Sequence, residues 1–282
     1  MPRRLVVIVV WAITAAGLVA AAGDTPRAAP AAAVIAPPPA PPAPAPAARP
    51  HLRVPHAAKA PHGLPVVEYW SPPRGFPADP APRSTAPITE GLQPTTSLVL
   101  YTAPGGTPKA RLKPSISGLP VTVPIVARRS GWYAVLLPSV NRKIGWLPAG
   151  GWTARPLRDH LVVRRRTHQL TWLHDGATAG TWRVATGSAA TPTPLGRTFV
   201  LGPTPTASPI YAGLDALVLG SVPDDPGVMS PGLRRAHTGF HSWYRTGVFG
   251  RSVSNGCIRV PRAGQRALLK HIPPGTPVTV ID

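Results

Sequence analysis

The sequence is poor in cysteine and in acidic residues. Its one cysteine, Cys257, excludes any disulfide within the chain. Aspartate and glutamate number 10 against 30 lysines and arginines, so the net charge is +20. The nine histidines show no ligand spacing, and we expect neither a metal site nor a cofactor. The Ser-x-x-Lys motif of serine penicillin-binding enzymes is absent, which argues against that chemistry.

The first residues predict export. Pro2-Arg3-Arg4 carries positive charge, and an apolar stretch follows over residues 5–22. This order is typical of a secretory signal, with small residues at 20–22 for cleavage. The stretch is also nearly long enough, at about 18–20 residues, to remain as a membrane anchor. Under either alternative for residues 1–23, the rest of the chain lies outside the cytoplasm, secreted or held at the cell envelope.

Prolines, 41 in all, are concentrated after this segment. Residues 28–65 are mainly alanine and proline, a composition that cannot bury a core. We expect a disordered or extended Pro/Ala-rich linker over residues 24–92. The block 66–93 has two interpretations, more linker or an irregular cap on the next folded unit. In polyproline geometry, some forty residues would reach on the order of 120 Å. Both a generic linker and a spacer across a thick envelope layer fit this composition.

The basic charge leaves two interpretations open. The arginines are scattered over strand-like and loop segments, without zinc-finger spacing, a basic heptad helix or an RNA-binding signature. We therefore expect no nucleic-acid partner. One use of the charge is attraction to anionic envelope polymers, which salt would weaken. The other is solubility alone.

Short strand-like runs begin near Thr95. They cover residues 97–101, 121–126, 132–137 and 143–147, separated by Gly, Pro and Asn. Such short strands without a helical period predict a small barrel. Gly131-Trp132-Tyr133-Ala134-Val135 and Gly145-Trp146-Leu147 resemble the end of bacterial SH3-like domains. The resemblance implies an SH3-like β-barrel over residues 93–154, which binds cell-wall components, packs on a catalytic neighbour or serves a structural role.

A second folded unit is expected over residues 157–282. Alternating apolar runs predict strands at 161–163, 169–173, 181–187, 198–201, 216–219 and 278–281. One helix is predicted at 262–271, ended by Pro273-Pro274-Gly275. Strands with few helices predict a mainly β fold, and this length is sufficient for a core of its own.

Four motifs of this unit carry a family resemblance. They are Thr191-Pro192-Thr193-Pro194-Leu195-Gly196-Arg197-Thr198-Phe199, then Phe240-His241-Ser242, Gly250 and Ser254-Asn255-Gly256-Cys257-Ile258-Arg259. Together they resemble the L,D-transpeptidase (YkuD-type) catalytic domain. The resemblance implies a β-sandwich with one or two short helices.

Cysteine and histidine are the minimum set for thiolate acyl transfer. An ordinary thiol is mostly protonated at neutral pH, so Cys257 needs a base, and His241 is the candidate. Ser242 matches the family position whose backbone carbonyl orients the imidazole. The alternative for Cys257 is a buried small hydrophobic residue.

The residues around Cys257 are candidates for substrate binding. Backbone N–H groups of Asn255, Gly256 and Cys257 could hold an oxyanion, with Ser254 at the start of this turn. Arg259 lies two residues after Cys257 on a strand and could bind a carboxylate. Many family members have histidine where this chain has Asn255.

His237 lies four residues before His241 on the predicted strand. At strand spacing it would lie roughly 13 Å from His241. A structural role and a peripheral substrate contact are its two interpretations.

The resemblance implies an enzyme that cross-links peptidoglycan. Cys257 would attack the third residue of a tetrapeptide stem, D-alanine would leave, and the amine of a second stem would complete a 3→3 cross-link. The alternatives are an L,D-carboxypeptidase, in which water replaces the amine, and a non-catalytic wall-binding protein. Peptidoglycan stem peptides are the expected partners, and carbapenem-type β-lactams the expected inhibitors.

Overall fold

The computed structural model describes residues 54–69, 73–139, 141–206, 208–231, 233–234 and 236–282. The predicted signal or anchor segment and the Pro/Ala-rich residues up to 53 lie outside this part of the chain. Among the described residues, the helices do not reach the length and hydropathy that a membrane-spanning helix needs. The mainly β fold predicted from the sequence is confirmed, with one α-helix among the described residues.

The first half of the described chain forms a seven-stranded sheet, called here the N-terminal sheet, in the order β3-β2-β8-β7-β6-β1-β9. A separate hairpin, β4–β5, accompanies it. The strands are β1 Glu90–Pro94, β2 Leu98–Tyr101, β3 Pro108–Leu112, β4 Ser115–Ile116, β5 Leu119–Pro120, β6 Val123–Arg129, β7 Trp132–Leu136, β8 Ile144–Pro148 and β9 Trp152–Pro156. The predicted runs correspond to β2, β6, β7 and β8.

Residues before β1 pack against this sheet. Val67, Tyr69 and Phe76 are buried in the core that the sheet covers. The Val67 N–H donates to the Arg111 carbonyl of β3 at 2.8 Å, and the Arg111 N–H donates to the Pro65 carbonyl at 2.8 Å. The described part of residues 66–93 is therefore folded onto the sheet. The predicted domain bounds stay predictions.

The second half forms an eight-stranded sheet, called here the C-terminal sheet, in the order β12-β11-β10-β19-β14-β15-β16-β18. Its strands are β10 Asp159–Arg164, β11 Gln169–His174, β12 Ala177–Arg183, β14 Gly196–Thr204, β15 Ala216–Leu219, β16 Gly239–Ser242, β18 Ile258–Val260 and β19 Pro277–Ile281. Two short strands, β13 Thr186–Gly187 and β17 Ser252–Ser254, pair outside it. The last strand, β19, lies inside the sheet, parallel to β10 and antiparallel to β14.

Strand β14 joins the two halves. Phe199 and Leu201 lie in the core of the N-terminal sheet, whereas Val200 between them lies in the core of the C-terminal sheet. Alternate residues of a strand point to opposite faces, so β14 is covered on both sides. The C-terminal sheet is thereby packed directly against the N-terminal half.

The helix α1 spans Arg262–His271, as the sequence predicts. Its first turn is closed by the Gln265 N–H, which donates to the Pro261 carbonyl at 2.9 Å. Leu268 is fully buried, and Lys270 and His271 stand in the last turn, where cationic side chains are favourable. The helix follows β18 directly and so fixes the end of the strand on which the candidate site lies.

Candidate active site

The parallel strands β16 and β18 bring the predicted residues together. Their register pairs His241 with Arg259. Phe240 and Ile258 are fully buried in the core, so the alternation along each strand directs His241 and Arg259 to the opposite face. Cys257, two residues before Arg259, shares that face. From strand spacing, the Cα atoms of Cys257 and His241 are on the order of 8 Å apart.

His241 is held in one tautomer. Its side chain is buried, and Nδ1 lies 2.7 Å from the Ser242 carbonyl oxygen, to which the Nδ1–H donates. The proton on Nδ1 leaves the lone pair on Nε2. Burial lowers the pKa of His241 to about 4; the Ser242 carbonyl opposes this shift, and the Arg259 cation adds to it. His241 is therefore neutral at pH 7, with a lone pair on Nε2.

The Ser242 hydroxyl takes no part in this contact. It is buried without a hydrogen-bond partner among the described residues. Ser242 lies two residues after Phe240, so its side chain faces the core rather than the site. Ser242 contacts His241 through its backbone carbonyl, so the contact does not depend on which side chain stands at position 242.

Cys257 is a neutral thiol in this structure. Burial raises the pKa of Cys257, while a backbone hydrogen bond from Gly239 and the Arg259 cation lower it. The residue is nevertheless partly exposed, at the wall of a pocket. A neutral thiol must lose its proton to a base before or during any attack on a carbonyl carbon.

A tight turn precedes Cys257. The Ser254 hydroxyl donates to the Cys257 carbonyl at 2.5 Å and accepts from the Gly256 N–H at 3.2 Å. Gly256 has a backbone φ of +104°, a value that residues with a side chain rarely adopt. The Gly256 N–H, predicted as an oxyanion donor, is thus already engaged by Ser254, and the Cys257 N–H is the stronger candidate. Asn255 is exposed and lines the pocket.

Residues 187–193, which include the start of the motif Thr191–Phe199, form hydrogen bonds that support this turn. The Ser188 N–H donates to the Ser254 carbonyl at 2.9 Å, and the Thr191 hydroxyl donates to the same oxygen at 3.0 Å. The Gly187 N–H donates to the Thr193 hydroxyl at 2.9 Å. A Cβ on Gly187 would lie 2.2 Å from the Thr191 carbonyl oxygen, so only glycine fits. These bonds position the turn.

Arg259 presents a cation to the pocket. Its guanidinium carbon lies 3.6 Å from the centre of the Trp243 ring. The Nε atom is buried without a hydrogen-bond partner among the described residues. The Arg259 N–H donates to the Ala185 carbonyl at 2.9 Å, and the Ala185 N–H donates to the Arg259 carbonyl at 2.9 Å. These two bonds fix the position of the Arg259 Cα, from which the side chain extends. A guanidinium that lies over an aromatic ring and lines a pocket can bind a carboxylate.

These residues line one pocket of about 250 Å³. Its lining residues are Ile210, Tyr211, Pro223, Met229, Leu233, Ala236, His237, Thr238, His241, Trp243, Ser254, Asn255, Cys257 and Arg259. Sequence reasoning missed the aromatic residues: Tyr211 meets the His241 ring edge to face at 4.8 Å, and Trp243 lies 5.8 Å from it. Tyr211 ends a short 3-10 helix, Pro209–Tyr211, and no sequence motif indicates its contact with His241.

His237 also reaches this pocket. Its Nδ1 lies 2.7 Å from the Leu219 carbonyl oxygen, and its Nε2 lies 2.8 Å from the Tyr69 carbonyl oxygen. The residue therefore links the segment before β1 to the pocket wall. This contact supports the structural interpretation of His237.

A turn of the N-terminal sheet braces another wall of the pocket. The Asn141 amide donates to the Val222 carbonyl at 2.6 Å and accepts from the Val222 N–H at 3.0 Å. Arg142 forms an ion pair with Asp224 at 2.7 Å. Pro223, between these two anchored residues, lines the pocket. Within the described ranges, no cluster of three or more His, Cys, Asp or Glu side chains is arranged to hold a metal ion.

Comparison with known proteins assigns this arrangement to a family. Residues 158–280 match the YkuD family, described as the L,D-transpeptidase catalytic domain. YqjB of Bacillus subtilis (strain 168), named provisionally as an L,D-transpeptidase, is 31% identical over 129 residues, which are 44% of this chain and 71% of YqjB. The chain belongs to the L,D-transpeptidase (YkuD) family. It is thus an acyltransferase kind of enzyme.

Solved L,D-transpeptidases are more distant. One from Mycobacterium smegmatis is 16% identical, with a TM-score of 0.38 over 57% of this chain and 82% of that one. L,D-transpeptidase 3 from Mycobacterium tuberculosis, solved with a faropenem-derived adduct, is 16% identical, with a TM-score of 0.37 over 78% of this chain and 94% of that one. At these scores the likeness adds nothing to the family assignment. Every predicted site residue of this L,D-transpeptidase lies within the matched range 158–280.

Proposed function

We propose that this L,D-transpeptidase forms 3→3 cross-links in peptidoglycan through a thioester on Cys257. The observation that supports this most is the shared face of β16 and β18. There a neutral His241, with its Nε2 lone pair unused by the Ser242 contact, lies next to the Cys257 strand position and the Arg259 cation. Base, nucleophile and anion-binding group are the three parts that acyl transfer from a carboxylate-bearing peptide requires.

The first half-reaction forms the thioester. His241 Nε2 accepts the Cys257 thiol proton as Sγ attacks the carbonyl carbon of the third stem residue. The Cys257 N–H donates to the resulting oxyanion. The carbon–nitrogen bond to D-alanine then breaks, and the imidazolium of His241 returns the proton to the leaving amine.

The second half-reaction releases the enzyme. The side-chain amine of a second stem attacks the thioester carbonyl, and His241 accepts a proton from the attacking nitrogen. The carbon–sulfur bond breaks, the proton returns to Cys257, and an amide joins the two stems. During the first half-reaction, before D-alanine leaves, Arg259 binds the terminal carboxylate of the donor stem through charge-assisted hydrogen bonds, since Arg259 lines the pocket beside Cys257.

The remaining parts of the chain serve this reaction in the cell envelope. We propose that residues 1–23 export the protein or anchor it, and that residues 24–92 connect this segment to the folded part. Residues 93–154 are proposed as an SH3-like domain, supported by the N-terminal sheet that they form with β1 and β9. The net charge of +20 favours attraction to anionic envelope polymers. Carbapenems are the expected inhibitors, acylating Cys257.

Product analysis tests this function. The full chain is incubated with a disaccharide-tetrapeptide and the products are followed by mass spectrometry. We expect a dimer that has lost one D-alanine, and none with Cys257→Ser. A tripeptide without dimer would identify a carboxypeptidase instead. If neither product formed while binding to wall material persisted, the chain would act as a non-catalytic wall-binding protein.

A further inference from the structure

A pair of aromatic residues in the N-terminal sheet lies beneath the described end of the proline-rich segment. Tyr101 ends β2 and Trp132 begins β7. Their ring centroids are 5.1 Å apart, with the planes at 89°. Tyr101 is 4% exposed and Trp132 is 0% exposed, although both carry a polar hydrogen that needs a partner when buried.

Both polar hydrogens bond to the backbone of the proline-rich segment. The Trp132 Nε1–H donates to the Pro55 carbonyl at 2.9 Å. The Tyr101 hydroxyl donates to the Ala58 carbonyl at 2.9 Å. The two acceptors are three residues apart, which is one turn of a polyproline II helix, so their carbonyls point the same way in that conformation. Residues 54–61 are in neither a helix nor a strand.

Two glycine turns flank the segment. Gly105, with φ +68°, lies so close to Pro55 that an added Cβ would be 2.9 Å from the Pro55 Cβ. Gly131, with φ +74°, lies beside Val54, where an added Cβ would be 3.1 Å from the valine methyl groups. The segment therefore rests in a groove with an aromatic floor and backbone walls, called here the aromatic groove (Tyr101, Trp132, Gly105 and Gly131).

The chemistry of the groove selects its ligand. Its two polar contacts to the segment are both made by donors, the indole N–H and the phenol O–H. Residues 54–58, Val-Pro-His-Ala-Ala, supply the acceptors that such donors need through the carbonyls of Pro55 and Ala58, and the ring of Pro55 fixes its φ in the range of an extended chain. Aromatic grooves bind extended proline-rich peptides because the polyproline II conformation is already ordered before binding.

We propose that the aromatic groove is a binding site for proline- and alanine-rich extended peptides, and that residues 54–58 occupy it in the same chain. The tethered segment has an effective concentration in the millimolar range, so it fills the groove ahead of free peptide. Occupation attaches the proline-rich segment to the N-terminal sheet at a defined point. This site is separate from the Cys257 pocket and does not depend on the proposed reaction.

Binding of a separate peptide tests the proposal. A labelled peptide with the sequence of residues 50–62 is titrated into the full chain and into the double variant Val54→Gly, Pro55→Gly, whose own segment is less ordered. We expect the double variant to bind the peptide at least tenfold more tightly than the wild type. Adding Tyr101→Phe, which removes one hydroxyl, is expected to weaken that binding by about two- to tenfold. A peptide with glycine in place of its prolines is the matched control.

Proteolysis gives a second readout within the chain itself. Trypsin cleaves after Lys59, which lies next to the Ala58 contact. Tyr101→Phe should increase the cleavage rate at Lys59 several-fold, with an unchanged melting temperature showing that the sheet is intact. Equal cleavage in both proteins, or no peptide binding to the double variant, would overturn the proposal.

Discussion

Asp79 and Arg197 form a buried ion pair between the segment before β1 and the strand β14. The Arg197 Nε–H donates to Asp79 Oδ2 at 2.8 Å, and its Nη2 bonds to Oδ1. The Asp79 side chain is 0% exposed and the Arg197 side chain is 7% exposed. The Asp79 carboxylate also accepts from the Ala81 N–H at 3.0 Å. Both charges are thus removed from water and depend on each other.

Removing one partner of this pair should destabilise the protein strongly. In Asp79→Ala the Arg197 cation stays buried without its counter-charge, and we expect the free energy of unfolding to fall by about 3–5 kcal/mol. Urea denaturation measures this. The control is Glu90→Ala, which breaks the exposed pair with Arg128 and should cost less than about 1 kcal/mol. Similar losses in the two variants would contradict the role of the buried pair.

Acid should destabilise the protein through two buried histidines. Burial lowers the pKa of His160 to about 4, with the Arg197 cation adding to the shift, and burial likewise lowers the pKa of His241 to about 4. In the unfolded chain both titrate near 6.5. Their contribution is therefore complete above about pH 6.5, and it is lost as the pH falls toward 4, because the unfolded state takes up protons that the folded state refuses.

The expected size is set by the shift. Between pH 6.5 and pH 5 each histidine should cost about 2 kcal/mol of the free energy of unfolding. His160→Gln removes one titrating group, so this variant should lose less stability than the wild type over that range. The measurement is urea denaturation at several pH values. Parallel curves for wild type and variant would show that His160 titrates normally in the folded state.

Arg259 should contribute to binding of the donor carboxylate. Arg259→Lys keeps the charge but loses the stacked, forked guanidinium, and a charge-assisted hydrogen bond is worth roughly 1.5–3 kcal/mol. We expect KM for a tetrapeptide donor to rise about tenfold or more, with a smaller effect for a donor whose terminal carboxylate is amidated. Arg262→Lys, at an exposed position of α1, is the matched control. An equal effect on both donors would exclude the carboxylate contact.

Asn255 should tolerate substitution far better than His241. Its side chain is exposed at the pocket wall and cannot act as a base, whereas His241 is the buried base of the proposed reaction. Asn255→Ala should lower the acylation rate less than tenfold. His241→Ala should lower it by about 10²-fold or more. Rates are compared at pH 7 with a carbapenem. A loss in Asn255→Ala as large as in His241→Ala would reverse the assignment.

Local patterns predicted the elements that local forces determine. The helix Arg262–His271 is preceded by a proline and stopped by Pro273-Pro274, and these signals lie within the segment itself. The candidate site was predicted from the motifs that contain His241 and Cys257 and from their spacing. By contrast, Glu90–Pro94 contains Gly91 and Pro94 and no β-branched residue. It is a strand because it pairs with Trp152–Pro156, far along the chain.

The rest of the site depends on contacts between distant segments. Thr191 reaches the Ser254 carbonyl across 63 positions, and Asn141 reaches Val222 across 81. Such pairs depend on strand order, which a single sequence does not specify. The same holds for Tyr211 against His241 and for the Asp79–Arg197 pair. Sequence motifs therefore located the chemical groups, while the structure supplied the contacts that hold them in place.

The acylation of Cys257 is the most direct test of the proposed mechanism. The purified chain, Cys257→Ser and His241→Ala are each incubated with a carbapenem at pH 7 and examined by intact-protein mass spectrometry. The mechanism predicts one covalent adduct on the wild-type chain, none on Cys257→Ser, and formation slowed by about 10²-fold or more on His241→Ala. An adduct on Cys257→Ser, or an unchanged rate in His241→Ala, would contradict it.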